Sequence, residues 1–163
     1  LLSLKQLAGS SRISSAVIAR STQGWWQQLE LGKGGLDGIQ VGAAVMGPGG
    51  LVGRIESFTP TTSRVRLLTD PGSRVGVWVS RTKTHGLLIG KGTKSPQLVF
   101  FDKDPNVLPG DLVSISSAST LLPPNVPIGV IQSFNNEAQP SPNAAVHLIA
   151  APEAIDWVQV QSL

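Results

Sequence analysis

The sequence predicts an all-β chain: two small six-stranded β-barrels in tandem, preceded by a short helical, coiled-coil remnant. Three observations predict it. Eighteen glycines and twelve prolines divide 163 residues into short apolar runs, as many strands joined by tight turns require. The runs number twelve, in two sets of six on either side of the polar stretch Arg81-Thr82-Lys83-Thr84-His85. Closing each set into a barrel removes exposed strand edges. Finally, a motif recurs in order. Gly53-Arg54-Ile55-Glu56-Ser57-Phe58 is echoed 76 positions later by Gly129-Val130-Ile131-Gln132-Ser133-Phe134. Val41–Val45 is echoed by Pro109–Val113, Val65–Leu68 by Val146–Ile149, and Trp78-Val79 by Trp157-Val158, at offsets of 68, 81 and 79. Constant order with changing offset describes one β unit used twice with loops of different length.

Residues 1–15 read as the end of a helix or coiled coil and a linker. Leu1, Leu4 and Leu7 are spaced by three before Gly9-Ser10-Ser11 ends the pattern. Two turns are too short to stand alone. The first barrel is expected over 16–81, with strands at Ala16–Arg20, Trp25–Leu31, Val41–Met46, Leu51–Phe58, Arg64–Thr69 and Val75–Ser80. Adjacent strand residues face opposite sides, so of Trp25 and Trp26 one belongs to the core and the other outside it. Gly38 after Asp37 marks a turn, and Asp70-Pro71-Gly72 marks another. Gly47-Pro48-Gly49-Gly50 turns the chain into its organising strand, where Arg54 and Glu56 fall on one face and the aliphatic residues on the other.

The second barrel is expected over 86–161. Its strands are Gly86–Ile89, Gln97–Phe101, Leu112–Ser116, Ile128–Phe134, Ala145–Ile149 and Trp157–Val160. Gly110-Asp111 is the turn before the third of these. Gly53 and Gly129 are expected at equivalent strand bends, where another backbone comes close. The sequence leaves open an exchange of strands between the barrels.

Composition excludes several chemistries. The absence of cysteine excludes disulfides, thiol catalysis and cysteine metal sites. Two histidines, with no carboxylates at ligand spacing, predict neither a metal nor a cofactor. No apolar run approaches the 18 residues of a membrane span. The chain opens on Leu1 rather than methionine and reads as a trimmed fragment.

Charge is divided along the sequence. All thirteen Lys and Arg residues lie at or before Lys103, giving residues 1–103 a net +8, while residues 104–163 carry −5. If the halves are separate barrels, this charge dipole favours head-to-tail self-association.

A hydrolase reading starts from His85, Asp102 and Ser114–Ser119, which stand in the order of a chymotrypsin-like triad. However, His85 falls in the predicted linker, Asp111 precedes Leu112 rather than a nucleophile, and order alone is no warrant for a triad. His147 should stand alone on the opposite strand face from Val146 and Leu148. Gly90-Lys91-Gly92-Thr93 is too short for a phosphate loop. A basic β-barrel that binds nucleic acid or ribosomes is the second alternative, with Arg64, Arg66, Arg74 and Arg81 holding phosphates. It lacks the interleaved aromatic residues of a base-stacking platform. The residues favour a non-enzymatic binding domain whose interaction surface includes Trp25, Arg64, Arg66 and Arg74.

The ordered set Gly35-Leu36-Asp37-Gly38-Ile39, Gly50–Ile55, Leu67–Asp70, Gly86–Gly90, Pro109–Val113 and Val126–Gly129 resembles the rod shape-determining MreC family. The resemblance runs from about Ala16 to Val160. It departs from the family at Ile115-Ser116-Ser117-Ala118, where relatives carry a threonine-serine-glycine run, and at Pro123-Pro124. The resemblance implies a scaffold of the bacterial cell-wall elongation machinery, on the extracytoplasmic (periplasmic) face of the inner membrane. It implies a membrane anchor in a preceding N-terminal segment. The implied partners are the penicillin-binding transpeptidase, MreD and, across the membrane, MreB, together with self-association into a dimer or filament.

Overall fold

The computed structural model describes residues 12–22, 26–117, 122–137 and 141–161. The Leu1–Leu7 pattern and Trp25 lie outside the described residues. Alternating apolar runs form twelve strands: β1 (Arg12–Ser21), β2 (Gln28–Leu31), β3 (Ala44–Gly47), β4 (Gly50–Phe58), β5 (Ser63–Leu67), β6 (Arg74–Val79), β7 (Thr84–Ile89), β8 (Gln97–Phe100), β9 (Leu112–Ile115), β10 (Pro127–Asn135), β11 (Asn143–Leu148) and β12 (Trp157–Gln161). Short 3-10 turns occupy Gly35–Asp37 and Pro152–Ala154. Among the described residues, no helix is long and apolar enough to cross a membrane.

The strands close into two six-stranded barrels, in the cyclic orders β1-β12-β3-β4-β5-β2 and β7-β6-β9-β10-β11-β8. These are the same order, with β12 standing in the first barrel where β6 stands in the second. The last strand of each sequence half therefore closes the opposite barrel. The tandem boundaries at 16–81 and 86–161 are corrected accordingly: β6 belongs to the second barrel and β12 to the first. Local periodicity identifies a strand but carries no information about which distant edge it pairs with. Two strand limits are corrected as well. The first strand begins at Arg12, inside the stretch assigned to a linker, and Thr84 and His85 belong to β7 rather than to a linker.

The exchange dissolves the charge dipole. The first barrel with its connections, residues 12–72 and 149–161, carries six basic and six acidic residues, whereas residues 73–148 carry six basic and four acidic. The sequence halves are oppositely charged; the barrels are not.

Each interior is filled by one face of every strand. Leu29, Leu31, Val45, Ile55, Val65, Leu67, Val158 and Val160 fill the first barrel, all at most 2% exposed. Val75, Val77, Val79, Leu88, Leu98, Val113, Ile115 and Val146 fill the second. A fully buried side chain of this size contributes about 1.5–3 kcal/mol, so the interiors dominate stability. The outer face of the first barrel supplies Ala44 and Leu51 to the core cluster of the second. At that junction Gly50 meets the backbone of Pro127, and Gly49 (φ +94°) meets the side chain of Ile149.

Candidate interaction site at the barrel junction

β4 and β5 turn their polar faces outward, and their register sets Arg54 directly opposite Arg66. Two like charges in a cross-strand pair are unfavourable unless something intervenes. Glu56 does so. It lies at the irregularity between Ile55 and Ser57, and Arg66 Nη2 donates to its Oε1 at 2.6 Å. Arg66 Nη1 also donates to the Gly72 carbonyl at 3.3 Å, and its Nε lies 4.0 Å from the Asp70 carboxylate.

Because β6 leaves the first barrel directly after this turn, Arg74 comes beside the same face. Val41, Gly42, Arg54, Glu56, Arg66 and Arg74 line one depression of about 360 Å3. Arg54 Nε donates to the Gly42 carbonyl at 3.3 Å. Arg74 Nη1 donates to the carbonyls of Pro71 and Ser73, both at 2.9 Å. Each guanidinium is thus steadied by backbone. Among the described residues, neither Arg54 nor Arg74 forms an ion pair. The arrangement is suited to binding negatively charged oxygen groups. A larger cleft of about 600 Å3, lined by Thr93, Lys94, Gln132, His147 and Glu153 among others, mixes both signs of charge.

Of the residues the sequence assigned to an interaction surface, Arg66 and Arg74 come together. Arg64 does not join them: it lies in a separate groove with Arg20 and Glu30. Trp25 lies outside the described residues, and its neighbour Trp26 is 65% exposed. Sequence reasoning missed Arg54 and Glu56 as site residues, although their shared outward face on the organising strand was the available signal.

The turn residues occupy tight backbone positions. Gly38 (φ +95°) and Gly110 (φ +93°) adopt the left-handed conformation that glycine reaches without a Cβ penalty. Gly53 and Gly129 face the carbonyls of Arg66 and His147 on the adjacent strands. The buried Asp70 receives the Gln27 N–H at 2.9 Å and the Gly72 N–H at 2.8 Å. Asp111 receives the Leu108 N–H at 2.8 Å and two Arg81 hydrogen bonds at 2.9 Å. Those Arg81 bonds are the main cause that holds its carboxyl below the ordinary carboxylate value; burial opposes them and the Leu108 N–H assists.

His85 does meet a serine. Its Nδ1 lies 2.9 Å from Ser116 Oγ, and its ring packs against Trp78 with centroids 5.4 Å apart. Ser116 is 3% exposed, so its hydroxyl is closed to a substrate carbonyl. Asp102 is exposed in a loop and, among the described residues, forms no ion pair with His85.

A family model described as the rod shape-determining protein MreC, barrel core, matches residues 17–162. The chain is 40% identical over 121 residues to the cell shape-determining protein MreC of Cereibacter sphaeroides, covering 74% of this chain and 40% of that protein. It is 32% identical over 150 residues to its counterpart from Caulobacter vibrioides, covering 91% of this chain and 42% of that protein. The chain therefore spans about two fifths of the length of these relatives. The fold is that of the major periplasmic domain of the cell shape-determining filament MreC (TM-score 0.82, 20% identity, covering 94% of this chain and 96% of that one). It is also found in a solved complex of penicillin-binding protein PBP2 with MreC from Helicobacter pylori (TM-score 0.72, 10% identity, covering 93% of this chain and 98% of that one). Matched along its barrel core from residue 17 to residue 162, the chain belongs to the MreC family of cell shape-determining proteins.

Proposed function

We propose that this chain is the extracytoplasmic scaffold domain of a bacterial cell-wall elongation complex, acting through protein contacts and not through catalysis. Family membership carries the reading, and the solved Helicobacter pylori complex supports a partner class, a penicillin-binding protein. Two barrels that close each other and share a junction core are tied by more than a linker, which suits holding enzymes at fixed spacing. The periplasmic placement of a solved relative supports the same side of the membrane for this chain, anchored by an N-terminal segment. MreD, and MreB across the membrane, complete the proposed assembly, with self-association into a dimer or filament. Balanced barrel charge leaves that self-association to contacts other than a head-to-tail dipole.

The nucleic-acid reading is the weaker one, because no aromatic side chain lines the Arg54–Arg66–Arg74 depression to stack a base. The test is affinity capture of the tagged full-length protein from bacterial envelopes. A penicillin-binding transpeptidase and MreD are expected in the eluate. Enrichment of RNA or ribosomal proteins instead would overturn the reading.

A further inference from the structure

We propose that the depression formed by Arg54, Arg66 and Arg74 is a carboxylate-binding docking site that seats an acidic segment of a partner protein. The proposal rests on the scaffold reading for the existence of such a partner; the chemistry comes from the residues. Three guanidinium groups converge on about 360 Å3, and only Glu56 and the more distant Asp70 offset them. Each guanidinium has five donors in a fixed fork. Arg54 commits Nε and Arg74 commits Nη1 to backbone carbonyls, so among the described residues both retain N–H groups without a protein acceptor. Such forks match the paired oxygens of a carboxylate. The carbonyl anchors also reduce the side-chain freedom lost on binding.

The surroundings define the ligand. Val41 stands at the rim, 57% exposed, which favours a carboxylate with an apolar neighbour on the same polypeptide. Glu56 inside the depression opposes a multiply charged anion more than a single carboxylate and offers an acceptor for an amide N–H. No aromatic side chain lines the depression, so bases would have no stacking platform. The depression is recessed among β4, β5 and the turn into β6, which gives a flat lipid surface little contact. A peptide, thin enough to enter and able to carry both an acid and an apolar group, fits all four features. The carboxylate is the side group of an Asp or Glu within that segment; a free carboxyl terminus is the alternative that the test separates.

The test uses the intact protein, isotope-labelled, with NMR observation of the arginine Nε–Hε groups. Three peptides are titrated: Ac-Ala-Leu-Glu-Ala-NH2, the same peptide with Gln for Glu, and Ac-Ala-Leu-Ala with a free carboxyl terminus. The acidic peptide is expected to shift Arg54, Arg66 and Arg74 while leaving Arg20 and Arg64 in place. The Gln peptide should not bind. The third peptide is expected to bind more weakly than the acidic one; binding as tight or tighter would overturn the acidic segment in favour of a terminal carboxylate. Raising salt to about 0.5 M, where the Debye length is roughly 4 Å, should weaken the acidic peptide. The double change Arg54→Glu with Arg74→Glu should weaken it at least about tenfold. Arg54→Gln with Arg74→Gln should do the same, and an unchanged melting temperature in either variant separates lost binding from lost fold. Equal binding of the Gln peptide, or shifts shared equally with Arg20 and Arg64, would overturn the site. Envelope capture tests the scaffold reading separately. A protein that captures no wall enzyme yet binds the acidic peptide through these arginines refutes that reading and supports the site.

Discussion

Gly53 in β4 and Gly129 in β10 occupy one position in two copies of the same barrel. Gly53 pairs with Val45 and Leu67, Gly129 with Val113 and Leu148. The ladder to the following strand breaks register just beyond each glycine, between Ile55 and Ser57 and between Ile131 and Ser133. A Cβ at either glycine would fall on a backbone carbonyl of the neighbouring strand, which cannot rotate away. Gly53→Val and Gly129→Val should each lower unfolding free energy by about 1–3 kcal/mol. Denaturant unfolding at constant slope measures it, and midpoints that do not move for either variant would remove the structural meaning of the repeat.

The repeat was legible because strand interiors leave a period-2 record in sequence, and each of the twelve strands overlaps the run that predicts it, although limits move at β1, β2 and β7. Pairing across the fold was not legible. Trp78 lies opposite Ser114, and the residue 68 positions before Ser114 is Met46, which lies opposite Gln159. The partner of Trp78 in the repeat is therefore Gln159, two residues from the Trp157 that sequence matching selects. Trp157 is instead 63% exposed. Matching tryptophans is a compositional coincidence; register is set by partners distant in sequence, 36 positions away for Trp78 and 113 for Gln159. The candidate site divides in the same way. The outward faces of β4 and β5 reveal Arg54 and Arg66, but Arg74 joins them only because β6 crosses into the other barrel.

Asp70 stabilises that crossing. The residue is 5% exposed, and its carboxylate accepts the Gln27 N–H from the first barrel and the Gly72 N–H from the turn itself. Asp70→Ala takes this acceptor from the buried Gln27 N–H and from the exposed Gly72 N–H, at a cost of about 1–3 kcal/mol that falls mainly on the Gln27 side. The loss should appear in thermal unfolding, and faster amide exchange at Gln27 and Gly72 should accompany it. Unchanged exchange at both would mean that the carboxylate does not hold the turn.

The His85–Ser116 contact predicts structure without reactivity. A fluorophosphonate probe should leave Ser114, Ser116 and Ser117 unlabelled in the folded protein, since the Ser116 hydroxyl is buried and its histidine is packed on Trp78. Intact-mass spectrometry reads the outcome. Stoichiometric labelling of any of these serines, abolished by His85→Ala, contradicts the non-enzymatic reading.

Asp111 carries the pH dependence. The Arg81 hydrogen bonds, joined by the Leu108 N–H, lower its pKa in the folded protein. A carboxylate lowered by folding stabilises fully above its unfolded value, about 3.9. That contribution is lost as pH falls through the lower folded value. The stability difference between the wild type and Asp111→Asn should therefore be constant from about pH 7 to pH 5 and shrink below about pH 4. Urea unfolding across that range measures it. A difference that grows on acidification would mean that Arg81 does not hold the ionised form.

The exchange of β6 and β12 makes the barrels depend on each other, and this can be tested by cutting the polypeptide. The β6–β7 turn is short and polar, with Lys83 at φ +56° and its N–H bonded to the Val79 carbonyl at 2.7 Å. Fragments 1–82 and 83–163 retain every strand between them, but each lacks the strand that closes its own barrel: the first lacks β12 and the second lacks β6. The competing outcome is that each closes on its own last strand. Two features oppose this. Asp70 fixes the six-residue turn that sends β6 outward, and Arg20 clamps the entry to β12 through the carbonyls of Pro152 and Glu153 at 3.0 and 2.8 Å and the Asp156 carboxylate at 3.0 Å. Open barrels expose a full edge and half a core, so each fragment alone should give a poorly dispersed NMR spectrum. Mixed in equal amounts, they should restore the spectrum of the intact protein in a one-to-one complex. Two fragments that fold separately and ignore each other would mean that the exchange is dispensable and that the tandem arrangement read from the sequence is also a stable state of this protein.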